Sequence, residues 1–201
     1  MPIIVDKAQK RKDIALSSKA VILQNGIQNL TISAIAQAAG IGKGTFYEYF
    51  SSKEELLFEL VTLLLQAYDV RIEEKLQNAV GVTEKVKAFA DFFYEEESRE
   101  LRILYKMFIG VSLAAPQKEM LDFQSECFDH YYRWFAQVID EGITQGELVP
   151  DVAKMIPGIF ATAQGMYIMA ETTYCESDLK TSVHHYIDTL FSLCTVKKET
   201  L

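Results

Sequence analysis

Apolar positions recur at helical intervals along nearly the whole chain, and the first clear pattern is a short one. Ile32, Ile35, Ala36 and Ala39 form a narrow stripe. Thr31 stands before it as an N-cap, and Gly40 follows it where a left-handed residue ends a helix. Ile41 would plug the corner. Phe46 and Phe50, four apart, predict the buried face of a second short helix, which leaves Lys43, Thr45, Tyr47, Glu48 and Tyr49 outward. Ser51 and Ser52 each have a glutamate three residues on (Glu54, Glu55), so a capping box can start the next helix in either register.

Longer helical patterns fill the rest. They cover 52–78, then 83–97 with Phe89, Phe92 and Phe93 on one face, and 99–113, whose nearly continuous apolar character predicts burial on most sides. The pattern over 118–145 puts Phe123, Cys127, Phe128, Tyr131, Trp134, Phe135 and Val138 on one stripe, and helices over 151–174 and 178–195 close the chain. There is no strand-like alternation, no internal repeat and no low-complexity linker. The predicted fold class is all-α, with a small helix-turn-helix domain over 1–52 and a larger helical body over 53–201.

Charge sharpens this division. Residues 1–50 hold six basic and three acidic residues, a balance of +3, while 51–201 carry −11 of the overall −8. An acidic chain is a poor DNA ligand on average, but binding follows the local field, and the Debye length at physiological salt is about 8 Å. The basic run 7–12 can meet phosphates while the acidic bulk stays distant. The pattern at 31–53 therefore reads as a helix-turn-helix that lays its second helix in the major groove. Lys43 and Thr45, near the start of that helix, are placed for base edges, Lys to guanine and the Thr methyl to thymine. The hydroxyls of Tyr47 and Tyr49 suit phosphates, Lys53 adds a charged phosphate contact, and Thr31 adds one at its helix end. The stretch 40–45 only superficially resembles a phosphate-binding loop: a Walker A motif needs Gly at 37 and Ser or Thr at 44, and the chain has Gln37 and Gly44.

These residues resemble the DNA-binding domain of the TetR family of transcriptional regulators. Gly26, Thr31, Ile35-Ala36, Ala39-Gly40, Lys43-Gly44-Thr45-Phe46-Tyr47, Tyr49-Phe50 and Lys53-Glu54-Glu55-Leu56 carry the likeness, with a weaker echo at Gly146-Glu147-Leu148-Val149-Pro150-Asp151. Gly42 departs from it, standing where the family usually has a Ser or Thr cap, as do Ser17, Ser18 and Ile22 in the first helix. The resemblance adds Gly44 to the DNA-contacting set and implies a homodimer in which the last two helices pair with their copies. The stripe Leu179, Val183, Ile187, Leu190, Phe191 and Cys194, and the small residues Gly158, Ala161, Ala163 and Gly165, are the features expected to serve that pairing. It also implies a ligand pocket in the body. The candidates are Phe89, Phe93, Tyr105, Phe108, Phe128, Tyr131, Trp134, Gln164 and Tyr167, a set richer in aromatics than a Leu and Ile core and suited to a flat, mostly apolar molecule.

Other chemistry finds little purchase. His130, His184 and His185 have no partner pattern, no catalytic constellation is present, and no cofactor or metal is expected. The uncharged, mostly apolar run 155–170 has 16 residues and contains Pro157, short of the roughly 20 needed to span a bilayer. With an early-charged N-terminus lacking a signal-peptide core and three widely spaced cysteines, the expected location is cytoplasmic. The expected function is a non-enzymatic repressor that binds double-stranded DNA at a palindromic operator and leaves it when a small-molecule effector enters the body. The alternative is a DNA-binding helical dimer without such an effector.

Overall fold

A computed structural model describes residues 6–175 and 178–196. The first five residues, on which the leader expectation partly rests, lie outside the described residues. Nine α-helices are present among the described residues: α1 (Lys7–Asn29), α2 (Ile32–Ala38), α3 (Lys43–Tyr49), α4 (Lys53–Asn78), α5 (Gly81–Ala90), α6 (Arg99–Ala114), α7 (Lys118–Thr144), α8 (Ile156–Thr172) and α9 (Leu179–Cys194). Among those residues there is no strand, only a single antiparallel bridge between Leu148 and Thr195.

The boundaries follow from capping. The Asp6 side chain accepts from the amides of Ala8 and Gln9 at the head of α1. Gly26, at φ 71°, breaks the last turns of that helix. At the end of α2, Ile41 N–H donates to Ala36 C=O (2.9 Å) and Gly40 N–H to Gln37 C=O (3.1 Å), with Gly40 at φ 64°. This is a Schellman closure, and its left-handed position needs a glycine. α4 takes the later of the two possible registers: Ser52 Oγ accepts from Glu55 N–H, while Glu55 reaches back to Ser51 N–H.

The chain divides into two compact units. One contains the described residues up to Asp69 together with Glu100–Gln124; the other contains Val70–Arg99 and the described residues from Ser125 onward. In the first unit Ile14, Ile22, Ile35, Phe46, Phe50, Leu56 and Leu60 share one apolar cluster with Leu104, Phe108 and Met120. Lys19 on α1 pairs with Glu100 on α6 at 2.8 Å. In the second unit α5, α7, α8 and α9 bury Val86, Phe89, Phe135, Ile139, Ile159, Tyr167, Val183, Ile187 and Phe191. Gly142 lets α7 approach α5 closely, since a Cβ there would lie 3.0 Å from a Val82 methyl.

Three expectations are corrected. The helix expected over 83–97 ends at Ala90 and gives way to two 3-10 turns, Asp91–Phe93 and Glu96–Ser98. Lys75 draws both Asp91 and Glu95, and Tyr94 Oη bonds Asp91, so tertiary partners override the helical pattern. α6 buries only Leu101, Leu104 and Phe108, and its Leu113 is 82% exposed, so it is one-sided. On α9, Val183, Ile187, Phe191 and Cys194 are buried inside their own unit, and the outward residues include Thr181, His185, Thr189 and Leu193. These four buried residues of the expected pairing stripe pack within the chain, while Leu179 and Leu190 are half-buried.

Candidate nucleic-acid interface

α3 is only seven residues long and would not hold itself in water. It is anchored by Phe46 and Phe50, both buried, with ring centroids 5.7 Å apart. Its N-cap, Gly42, offers no side-chain bond, a loss of about a few tenths of a kcal/mol against Ser or Thr. The anchoring turns Lys43, Gly44, Tyr47 and Glu48 outward, Tyr47 being 59% exposed. Thr45 is half-buried. Tyr49 is also half-buried, with its side chain against the apolar cluster and its carbonyl accepting from Arg11. Thr31 is exposed, and its Oγ1 accepts from Ala34 N–H at 3.2 Å, which leaves its own O–H to donate.

Lys53 is more constrained. Its Nζ donates to the carbonyls of Ile27 (3.0 Å) and Leu30 (3.2 Å), closing the stretch after the Gly26 break. Within the basic run, Lys7 and Lys12 are exposed and Lys10 is half-buried, but Arg11 is turned inward. Its guanidinium bonds Glu55 (2.9 Å) and Glu59 (3.1 Å) on α4 and lies 4.3 Å from the Phe50 ring centroid. Burial works against that charge, and the two carboxylates outweigh it, so the Arg11 pKa rises above its ordinary value. Burial likewise opposes ionisation of Glu55, but bonds from Ser51 and Arg11 prevail and lower its pKa. Sequence reasoning missed this role for Arg11, because its partners lie 38 to 48 residues away.

Solved structures share the fold. A TetR-family transcriptional regulator from Cytophaga hutchinsonii superposes with a TM-score of 0.80 at 16% identity, covering 98% of this chain and all of that one. FadR from Bacillus subtilis, solved in complex with stearoyl-CoA, superposes with a TM-score of 0.68 at 24% identity, covering 90% and 97%. The curated fatty acid metabolism regulator protein of Bacillus subtilis (strain 168) is 26% identical over 184 residues, 88% of this chain and 93% of that protein. Residues 17–60, which include all of α2 and α3, match the family of bacterial regulatory proteins named for TetR. Residues 17–60 are those of the TetR family, and the fold is that of TetR-family regulators. The chain is a DNA-binding transcriptional regulator.

In this TetR-like fold the aromatic candidates for an effector fall in both units. Tyr105 and Phe108 belong to the first, where Phe108 packs with Phe58 and Phe123 in the apolar cluster and burial raises the Tyr105 pKa. The second unit brings Phe89 edge-on to Trp134 (5.8 Å) and Phe93 against Tyr167 (5.4 Å). Phe128 stacks on Tyr132 and meets Phe160 edge-on but is half-exposed, Tyr131 borders His130, and Gln164 is half-buried. No helix among the described residues is long and apolar enough to cross a membrane.

Proposed function

We propose that this regulator is a repressor that binds a two-fold symmetric operator as a homodimer and releases it on taking up a small, largely apolar effector. The supporting observation is the outward face of α3: Lys43, Gly44 and Tyr47 are exposed on a helix whose opposite side is fixed by buried Phe46 and Phe50. Reading and positioning are assigned to Thr31, Lys43, Gly44, Thr45, Tyr47, Tyr49 and Lys53 within and just after 1–52, effector binding and pairing to 53–201. One short recognition helix reads few base pairs, so specificity demands a second copy one helical turn along the DNA. An exposed row on α8, Gly158, Ala161, Gly165, Ile168 and Met169, is small and apolar, which suits close helix packing between copies.

The aromatic side chains of the body suit an apolar ligand. FadR from Bacillus subtilis was solved with stearoyl-CoA bound, which makes a long-chain acyl-CoA the first effector to try. Such a ligand would act by favouring a conformation with mismatched half-site spacing.

The test is selection of bound sequences from a random duplex pool at physiological salt, followed by competition with stearoyl-CoA. Recovery of one palindrome is expected. Sequence-blind binding alone would overturn the regulator reading. A palindrome that resists stearoyl-CoA and a wider panel of apolar ligands would leave an effector-free DNA-binding dimer.

A further inference from the structure

The one arginine of the basic N-terminal run does not face outward. The Arg11 side chain is only 26% exposed, and its guanidinium spans three elements. Nη1 donates to the carbonyl of Tyr49, the last residue of α3, and to Glu55 Oε1. Nη2 donates to Glu59 Oε2, and the guanidinium lies over the Phe50 ring.

Each partner has a structural reason to be there. Tyr49 C=O is one of the terminal carbonyls that a helix leaves without an internal donor. Glu55 is already fixed, because its other oxygen accepts both the N–H and the hydroxyl of Ser51 at 2.7 and 2.8 Å. A planar, five-donor fork can serve a carbonyl and two carboxylates while stacking on an aromatic face; an ammonium cannot. Two flanking carboxylates would also repel a DNA phosphate, so this cation is poorly placed as a phosphate ligand.

We propose that Arg11 is the positioning residue of the reading head: it joins the C-terminal end of α3 to α4 and thereby sets the angle at which Lys43, Thr45 and Tyr47 meet DNA. This rests on the reading of α3 as the DNA-reading helix. Partly exposed ion pairs contribute little to global stability, so the effect belongs in recognition more than in unfolding.

The experiment uses the full chain with Arg11→Gln, Arg11→Lys and Glu59→Gln. Binding is measured on the duplex recovered by the wild type, at several salt concentrations, alongside amide hydrogen exchange of the DNA-free protein. Arg11→Gln should weaken binding about tenfold, as for loss of charge-assisted hydrogen bonds. The slope of log affinity against log salt should stay unchanged; loss of a phosphate contact would make it shallower by about 0.9. Arg11→Lys should restore only part of the affinity.

Glu59→Gln gives the opposing sign. It removes a negative charge, so a phosphate-binding Arg11 would be freed and affinity would rise. A positioning Arg11 would be loosened and affinity would fall. In the free protein, the amides of Phe46–Phe50 should exchange faster in Arg11→Gln while those of α5, α8 and α9 do not. A shallower salt slope, a rise or no change for Glu59→Gln, or unaltered exchange overturns the proposal. Should the wild type recover no specific duplex, the sequence-specific reading fails by itself, and the exchange experiment still decides Arg11. If Arg11→Gln does not fold, Glu59→Gln and Arg11→Lys give both readouts.

Discussion

A Cβ built onto Gly44 would meet no atom within 4 Å, and the backbone there is ordinary right-handed helix. Glycine in a helix forfeits about 0.5–1 kcal/mol against alanine, and nothing inside the protein needs its small size. The bare position sits between exposed Lys43 and half-buried Thr45, on the face proposed to meet DNA, where it would admit a close backbone. Gly44→Ala should therefore raise the thermal midpoint slightly while weakening operator binding. If both move together, or binding is untouched, Gly44 does not mark a close approach. Residues such as Lys43 and Tyr47 can be placed outward from sequence because Phe46 and Phe50 define the opposite face. Arg11 cannot, since its environment depends on Tyr49, Glu55 and Glu59, brought to it by folding.

Among the elements, those with local end signals are the most legible. Thr31 and Gly40 bracket α2 within one residue of the expected span, and the Ser51-Ser52 pair fixes the start of α4. The end of α5 is hidden from sequence because Lys75, sixteen and twenty residues away from Asp91 and Glu95, decides their conformation. For α9 the periodicity is right, but Val183, Ile187, Phe191 and Cys194 of the expected pairing stripe are covered by their own unit. A stripe shows that a face is covered, not which chain covers it. The Gly40 turn offers a test at this scale. Alanine there has room but must enter the left-handed region, costing about 1–2 kcal/mol. Gly40→Ala should lower the thermal midpoint; an unchanged midpoint would mean that the α2–α3 turn is not held in this conformation.

At the scale of the whole molecule, charge and pairing work together. The +3 balance of residues 1–50 against −11 for the remainder leaves attraction for DNA confined to one stretch of sequence. Pairing is assigned to the α8 row, where Ile168 and Met169 remain 41% and 40% exposed. A buried charge in that row would have no partner. Ile168→Glu should give a monomer by sedimentation with unchanged helical content, and the palindrome should be bound far more weakly. A variant that stays dimeric would remove this face from the interface.

The apolar cluster around the reading helices is completed by Leu104, Phe108 and Met120, which enter the chain only after an excursion through residues 70–99. The portable piece of this protein is thus discontinuous. A single crossover after residue 52 or 69 would join half of one ancestor's core to half of another's. To exchange DNA specificities by recombination, residues 100–124 must travel with the N-terminal stretch, or the inherited α3 face must be rewritten residue by residue in place.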